Sequence, residues 1–303
     1  MTLPRVVVFG EALTDLVQHS PGQWQGHPGG APWNVARTLA RLGVPAAFAG
    51  SISQDSLGDE IHEQSQVSGL DMRFLQRVEA DPLVAVVPSS NPPRYFFAGE
   101  ADLAFDPDAL PQGWLEAAEL CHFSCISLAR EPLASKLLEQ AEKAKAGGKR
   151  ISYDPNWRNL MGDDYCRRIF PTLVKLADDI KLSDEDLENI YPGLTPEQGL
   201  SRLRKMNPEA NILYTQGAKG ITLLSSQGEW TQPGIPIHVA DTVGAGDACM
   251  AGWLASGIIS SASLEERLLF AAACASVSCQ KSGAYAPTLD DVRAMMATSP
   301  LPA

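Results

Sequence analysis

The fold is decided by a short unit near the start of the chain, Arg5-Val-Val-Val-Phe-Gly10, with Pro32 to Leu42 and Gly43 after it. The first segment is a β-branched run stopped by a glycine, which is typical of a buried strand. The second carries apolar and small residues at helical spacing, and Gly43 would end the helix. The unit therefore predicts a strand, a loop and a helix.

The same alternation recurs along the chain. Further strands are expected at Ala46 to Gly50, Leu120 to Leu128, Lys149 to Tyr153, Asp179 to Leu182 and Asn211 to Gln216. Further helices are expected at Gly58 to Ser68, Pro132 to Ala146, Tyr165 to Ala177, Pro196 to Lys205, Ala248 to Ser256, Leu264 to Lys281 and Leu289 to Ala297. Because parallel strands need crossover connections of this kind, the pattern predicts an α/β fold.

Two stretches interrupt the alternation, Leu16 to His27 and Pro82 to Ala98. In the second, Leu83 to Val87 and Arg94 to Phe97 flank a Ser-Ser-Asn-Pro-Pro turn, which is typical of antiparallel strands. We interpret both stretches as insertions that fold together into a small lid. Since the lid strands are apolar, lid-to-lid dimerisation is expected.

Composition restricts the partners of the protein. The 303 residues are 45% hydrophobic and 20% charged, which is ordinary for a soluble globular protein with a sizeable core. A net charge of -12 and a pI near 4.9 repel polyanions, so no binding to nucleic acid or to an anionic membrane is expected. The N-terminus has no signal-peptide apolar core, which favours a cytoplasmic location.

The six cysteines do not have zinc-ribbon spacing. Cys121-His122 with Cys125 is the one cluster that resembles a metal site. We interpret this segment as a buried strand instead, because the surrounding residues Leu120 to Leu128 are mostly apolar.

Polar residues concentrate in four loops that would follow strands of the sheet: Glu11 to Asp15, Gly29 to Asn34, Asp154 to Arg158 and Asp241 to Asp247. In an open parallel sheet, ligands bind beyond the C-terminal ends of the strands. These four loops are therefore the candidate site.

The loop Asp241 to Asp247 has the chemistry of an anion site. Gly244-Ala-Gly246 lets the backbone approach a ligand, and the helix beginning near Asp247 directs its first N–H groups and its positive dipole end into the loop. An acid at this position suits a base that deprotonates a hydroxyl during phosphoryl transfer. Taken alone, Asp247 is equally well explained as a helix cap.

The other loops offer groups that bind hydroxyls. Asn34 presents both a donor and an acceptor, while Asp15 and Asp154 could accept hydrogen bonds from vicinal hydroxyls. Each is also common as a plain surface or turn residue. Walker, Gly-x-Gly-x-x-Gly and Gly-x-Ser-x-Gly motifs are absent from the sequence, so any ATP must bind by another arrangement.

Two long segments now carry a resemblance. Gly29-Gly-Ala-Pro-Trp-Asn-Val-Ala-Arg-Thr-Leu-Ala-Arg-Leu-Gly43 and Asp241-Thr-Val-Gly-Ala-Gly-Asp-Ala-Cys-Met-Ala-Gly252 resemble, in the correct order, the two signatures of the ribokinase-like (PfkB) carbohydrate kinases, with bacterial fructokinases most similar. The resemblance covers nearly the whole chain. It implies a three-layer α/β sandwich with a mostly parallel central sheet, one kinase domain over residues 1–303, and a lid formed by roughly residues 13–27 and 82–101.

The resemblance also implies roles for individual residues. Asp247 would be the catalytic base, with the N–H groups of Gly244, Ala245 and Gly246 stabilising the transferred phosphoryl group. The other implied positions fall into three groups: sugar contacts at Asp15, Gly30, Asn34, Asp154, Asn156 and Arg158; nucleotide contacts at Lys181, Thr215, Gly217, Gly220 and Gly246; and a monovalent-cation site, K⁺ in some members, at Asp241, Val243 and Gly283. ATP and Mg²⁺ would be co-substrates.

Two positions depart from the family pattern. Ser183-Asp-Glu-Asp186 stands where the family often has Asn-x-x-Glu, which is associated with Mg²⁺ and its waters, so Asp186 is expected to reach the metal through water. Ala98 stands three residues before Ala101-Asp102, where many fructokinases have an arginine. A lost bidentate donor would change the preferred sugar more than the fold.

The sequence therefore predicts an ATP-dependent sugar kinase that acts on a primary hydroxyl of a ketohexose, fructose first. A 2-keto-3-deoxygluconate kinase is the alternative within the family, because Asp154-Pro-Asn-Trp-Arg158 is similar in both groups, and a nucleoside kinase is a weaker one. A sugar- or nucleotide-sensing protein that kept the fold without catalysis is the alternative from another class.

Overall fold

The computed structural model describes residues 2–88 and 95–298. Its strands are β1 (Val6–Phe9), β2 (Leu13–Ser20), β3 (Gln23–Gly29), β4 (Ala46–Ser53), β5 (Leu75–Val78), β6 (Val84–Val87), β7 (Phe96–Ala98), β8 (Leu120–Ser124), β9 (Arg150–Asp154), β10 (Asp179–Ser183), β11 (Asn211–Thr215), β12 (Ile221–Ser225) and β13 (Gly228–Gln232). Its α-helices are α1 (Ala31–Arg41), α2 (Ser56–Val67), α3 (Trp114–Ala117), α4 (Leu133–Ala146), α5 (Phe170–Leu176), α6 (Asp184–Ile190), α7 (Pro196–Met206), α8 (Ala245–Ile259), α9 (Leu264–Cys279) and α10 (Leu289–Ala297).

The main sheet has nine strands in the order β13-β12-β11-β10-β9-β8-β1-β4-β5. The strands from β11 to β5 pair in parallel, whereas β12 and β13 add an antiparallel hairpin at one edge. The predicted α/β fold with a mostly parallel sheet is confirmed.

Apolar residues cover both faces of this sheet because successive side chains of a strand point to opposite faces. In β1, Val7 and Phe9 join a core cluster with residues of α4, α5, α6 and α7. Val6 and Val8 join a second cluster with residues of α1, α2, α8, α9 and α10. Helices therefore lie on both sides of the sheet, in three layers.

The two insertions form one small sheet in the order β3-β2-β6-β7. Strand β2 pairs antiparallel with β3, and β6 pairs antiparallel with β7. The prediction that the insertions fold together is confirmed, but the sheet is mixed, because β2 and β6 join the two hairpins as a parallel pair. Arg94 and the turn before it lie outside the described residues.

Some predicted elements were wrong or incomplete. The strand predicted for Leu120 to Leu128 ends at Ser124, because Cys125 takes a positive φ of 62° and a 3₁₀ turn, Ile126–Ala129, follows it. The edge hairpin β12–β13, strand β5 and helix α6 were not predicted at all. Among the helices of residues 2–88 and 95–298, none has the length and apolar character needed to span a membrane.

The cluster Cys121-His122 lies in strand β8, where every residue is buried. The His122 imidazole shares a 2.9 Å hydrogen bond with the Ser152 hydroxyl of the neighbouring strand. The interpretation of this segment as a buried strand is confirmed, although the strand is shorter than expected.

Candidate active site

Asp247 lies in the first turn of α8, one of the longest helices of the described chain. The helix begins after Gly244, which takes the left-handed conformation with φ of 75°. A side chain there would crowd Ala284, since an added Cβ would lie 2.8 Å from the Ala284 Cβ. The turn therefore presents Gly244, Ala245 and Gly246 beside a carboxylate that is only 5% exposed.

Two amide side chains from distant segments hold the Asp247 carboxylate. Asn34 of α1 donates from Nδ2 to Oδ2 at 2.9 Å, and Asn156 donates from Nδ2 to Oδ1 at 3.1 Å. Burial raises the pKa of Asp247, while the Asn34 hydrogen bond and the charge of Lys181 lower it. The carboxylate is thus oriented at the meeting point of α1, α8 and the loop after β9.

The helix that carries Asn34 begins at a glycine for a steric reason. Gly30 caps α1 with φ of 109°, and a Cβ at this position would lie 2.6 Å from the Glu11 carbonyl oxygen. Only a glycine fits this approach to the end of β1. The Asn34 side chain is consequently delivered to the site with its Oδ1 buried and without a hydrogen-bond partner in the described part of the chain.

Asp15 and Arg158 face the site from the lid strand β2 and from the loop after β9. Burial raises the pKa of Asp15 to about 6, the charge of Arg158 opposes the rise, and that of Asp247 adds to it. The Arg158 guanidinium stacks over the Tyr95 ring at 5.0 Å, and its Nη1 donates to the Asn156 side chain at 2.7 Å. The Asp15 carboxylate can accept hydrogen bonds from the hydroxyl groups of a sugar, and the Arg158 guanidinium can donate hydrogen bonds to them.

Asp154 sits below these groups, at the end of β9. Its Oδ1 accepts the N–H of Asn156 at 3.1 Å, and its Oδ2 lies 3.0 Å from the Lys181 ammonium. The two side chains are 1% and 4% exposed. Asp154 was expected to contact the sugar. In this arrangement both of its carboxylate oxygens contact protein groups.

Asp186 is also engaged by the protein. It forms a capping box with Ser183 at the start of α6, and its Oδ1 accepts the Trp157 N–H at 2.6 Å. The carboxylate thereby fastens α6 to the loop that carries Asn156 and Arg158. Backbone N–H groups contact both of its oxygens, and a contact of Asp186 with Mg²⁺ through water stays a prediction.

The residues expected at the nucleotide lie along the ends of β10 and β11. Thr215 ends β11, and the short turn Gly217–Lys219 follows it. Gly217 and Gly220 both have positive φ, at 53° and 106°, and a Cβ on Gly220 would collide with the Gln232 carbonyl. Both positions therefore favour glycine, Gly217 for its φ and Gly220 also for its approach to Gln232, and nucleotide contact at this loop stays a prediction.

The three residues expected at a monovalent cation are brought together. Asp241 accepts the Val243 N–H at 3.1 Å and the Gly283 N–H at 2.9 Å. This carboxylate ties the loop before α8 to the loop after α9. Hydrogen bonds within the protein bring these three residues together, and binding of K⁺ stays a prediction.

The position of Ala98 is flanked by a different arginine. Arg130 donates from Nε to Asp102 at 2.8 Å and from Nη2 to the Gly99 carbonyl at 2.7 Å. Its side chain is 14% exposed and Asp102 is fully enclosed, so the pair fastens the base of the lid.

Two residues of the site were not identified from the sequence. Tyr95 stacks on Arg158, and Glu11 is completely buried with its Oε2 accepting the Ser127 N–H at 3.1 Å. The run Tyr95-Phe-Phe97 was a visible signal, but which ring faces the site depends on strand pairing. Glu11 stood in a candidate loop, yet its partner comes from a segment 116 residues away.

Comparison with known proteins gives a consistent result. Residues 3–291 match the family model described as pfkB family carbohydrate kinase. A fructokinase of Klebsiella pneumoniae is 32% identical, over 95% of this chain and 98% of its own. A fructokinase of Vibrio alginolyticus is 34% identical, over 83% of each chain.

Solved structures agree with the sequence comparison. A Xylella fastidiosa fructokinase with bound ATP superposes with a TM-score of 0.86 at 26% identity, covering 98% of this chain and 99% of its own. A Vibrio cholerae fructokinase holding fructose, ADP and calcium gives 0.84 at 25% identity, with 97% and 99% covered. An Escherichia coli structure with ATP and Mg²⁺ gives 0.87 at 22% identity, with 98% and 100% covered, and supports the fold.

Proposed function

The chain belongs to the pfkB family of carbohydrate kinases, and from this premise we propose that it transfers the γ-phosphoryl group of ATP to a primary hydroxyl of a ketohexose, with fructose as the first candidate and Asp247 as the base. Its relatives include bacterial fructokinases at 32% and 34% identity. An ATP-dependent sugar kinase is the function that these relationships support.

The observation that carries the proposal is the environment of Asp247. A carboxylate lies in the first turn of a helix whose capping glycine has a left-handed backbone, and two asparagine amides fix its orientation. A helix N-terminus attracts a phosphoryl group, while an oriented carboxylate accepts a proton. A plain helix cap would not need amide donors from two other segments.

The proposed reaction uses this geometry. The sugar O–H donates its proton to Asp247, and the oxygen forms a bond to the γ-phosphorus of ATP as the bond from that phosphorus to the bridging oxygen of ADP breaks. The N–H groups of Gly244, Ala245 and Gly246 would stabilise the negative charge on the transferred group. Asp15, Asn34 and Arg158 would hold the sugar hydroxyls.

Magnesium fits this site as an ion carried by the nucleotide. Among residues 2–88 and 95–298, no cluster of three or more acidic, histidine or cysteine side chains could hold a metal by itself. Mg²⁺ commonly keeps several waters and binds through substrate phosphates, where it neutralises their charge. Thr215, Gly217 and Gly220 would bind the nucleotide, and K⁺ near Asp241 would be an activator rather than a reactant.

Fructose is preferred over 2-keto-3-deoxygluconate because the relatives named above are fructokinases. The sugar acid 2-keto-3-deoxygluconate remains the alternative substrate for two reasons. Ala98 stands where many fructokinases have an arginine, and Arg158 can pair with a carboxylate.

A coupled ATP-turnover assay over ketoses, aldoses, nucleosides and keto-acids tests the proposal. We expect the highest kcat/KM with fructose, and NMR of the product should place the phosphate on a primary carbon. A higher kcat/KM for 2-keto-3-deoxygluconate would overturn the choice of sugar. No turnover with any acceptor would favour a sugar- or nucleotide-sensing protein instead.

The proposed location is the cytoplasm, where ATP is available. All six cysteines are free thiols, as a reducing compartment favours. Cell fractionation tests this location, and recovery of the protein outside the cytoplasm would contradict it.

A further inference from the structure

A buried ammonium lies directly under the first turn of α8. Lys181 is on β10, and a Cβ added to Gly246 would lie 3.3 Å from its Nζ. Gly246 immediately precedes Asp247. The lysine is 3% exposed, so its ammonium is almost completely enclosed by the protein.

Asp154 holds this ammonium in place. The Nζ to Oδ2 distance is 3.0 Å, and the pair is enclosed between β9, β10 and α8. Burial disfavours the charged lysine, but the charges of Asp154 and Asp186 outweigh burial and raise the pKa of Lys181 above its usual value. A charge taken out of water needs such compensation, and replacing the pair by apolar residues would often be no less stable. A purely structural reason for keeping it is therefore weak.

The balance of charges around the site gives a functional reason for a buried lysine at this position. Four carboxylates, a lysine and an arginine act on one another here: Asp15, Asp154, Asp186, Asp247, Lys181 and Arg158. Four negative and two positive charges would make it costly to keep the base ionised, the more so when phosphates arrive. Lys181 is the positive charge that lies beneath the base itself.

We propose that Lys181 is a positioning residue of the phosphoryl-transfer site: held by Asp154 beneath the first turn of α8, its charge favours negative charge on Asp247 and on a phosphoryl group at that turn, without contacting the nucleotide. The inference rests on the proposed kinase function. It replaces the expectation that Lys181 contacts the cofactor.

Groups from several elements face Asp247 and Lys181 and must be considered together. They are Asn34 on α1, Asp15 on β2, His122 on β8, Asp154, Asn156 and Arg158 at the end of β9, Asp186 on α6 and Cys249 on α8. Removing Lys181 leaves Arg158 as the one remaining cation among these groups. The proton affinity of Asp247 should then increase.

The direct test is a ¹³C NMR titration of protein labelled at the aspartate carboxyl carbon, with the Asp247 signal assigned by its absence in Asp247→Asn. In Lys181→Met we expect the Asp247 titration to move up by about one pH unit or more. In Asp154→Asn, which removes a neighbouring negative charge, it should move down. The double variant Lys181→Met/Asp154→Asn, which leaves no unpaired buried charge, should titrate between the two.

Lys145→Met is the matched control. It removes a lysine from an ion pair of similar length, 2.8 Å to Asp178, whose side chains are each 37% exposed. The Asp247 titration should not change in this variant. If Asp247 titrates in Lys181→Met as it does in the wild type, or in the double variant as it does in Asp154→Asn, the inference is wrong, whether or not the protein phosphorylates a sugar.

Nucleotide binding supplies the second readout. Calorimetry with ATP should give Lys181→Met within about threefold of the wild-type affinity, while its kcat at pH 7 falls at least about tenfold. A large loss of ATP affinity with an unchanged Asp247 titration would make Lys181 a nucleotide ligand. Absence of turnover in the wild type would instead overturn the proposed function and leave the NMR comparison intact.

Discussion

At the scale of single residues, the site depends on how each polar atom is occupied. Asp247 receives two amide donors and Asp186 two backbone N–H groups, whereas the Oδ1 of Asn34 is buried and without a partner in the described residues. A buried acceptor without a donor carries a free-energy cost. A sugar hydroxyl that donates to Asn34 would satisfy this acceptor, in agreement with the proposed function.

Asp15 predicts how sugar affinity changes with pH. Burial raises its pKa to about 6, so the carboxylate that we propose as an acceptor for sugar hydroxyls is lost as the pH falls through about 6. Calorimetry with fructose should therefore show weaker binding at pH 5 than at pH 8. Asp15→Asn should bind weakly at both pH values, and equal wild-type affinity at both would contradict the assignment.

The raised pKa of Asp15 also determines how the stability of the folded protein changes with pH. Because the pKa of Asp15 is raised in the folded state, protonation favours the folded protein, and this contribution is lost as the pH rises through about 6. Asp15→Asn should accordingly melt at a higher temperature than the wild type at pH 7.

At the scale of elements, the helices α1 and α8 deliver the two polar groups that meet, and each begins at a glycine with positive φ. Successive side chains of the strands between them point to opposite faces of the sheet, and both faces are buried under helices. The loop residues that follow β9 then meet α8 because β9 lies at the centre of the sheet.

The start of α1 gives a prediction about stability. Gly30→Ala forces a Cβ against the Glu11 carbonyl at 2.6 Å and should lower the free energy of unfolding by about 2 kcal/mol or more. Gly43→Ala, at the other end of the same helix, has φ of 86° but open space, and should cost about 1 kcal/mol. Denaturant titration measures both. Equal losses would mean that the close approach at Gly30 is not restrictive.

Sequence patterns predicted the elements that carry long apolar periodicity and the loops that follow them. The edge hairpin β12–β13 was missed although Ile221–Ser225 alternates in burial, because a chain of βα units was assumed to continue. Helix α6 is short and acidic, so its apolar periodicity is weak. The role of Asp154 depended on which side chain lies beside it on β10, which strand pairing decides and sequence spacing does not.

At the scale of the whole molecule, the lid exposes apolar side chains on its outer face. Trp24 is 42% exposed and Phe96 66% exposed, and both belong to the four-stranded lid sheet. Exposed apolar strands favour association with another copy. We expect a lid-to-lid homodimer in solution.

Sedimentation of two variants tests this assembly. Phe96→Glu should shift the protein to the mass of a monomer, whereas Val67→Glu, at a 74% exposed residue at the end of α2 in the main body, should remain dimeric. A wild-type protein that sediments as a monomer at micromolar concentration would contradict the expectation.

The central claim is that a buried aspartate at the start of α8 removes the proton from a sugar hydroxyl while ATP donates its phosphoryl group. Asp247→Asn keeps the size of the side chain and removes its basicity. With fructose and ATP both saturating, kcat should fall by about 10²- to 10⁴-fold, while ATP affinity measured by calorimetry stays near the wild-type value. Turnover close to that of the wild type would show that Asp247 is not the base.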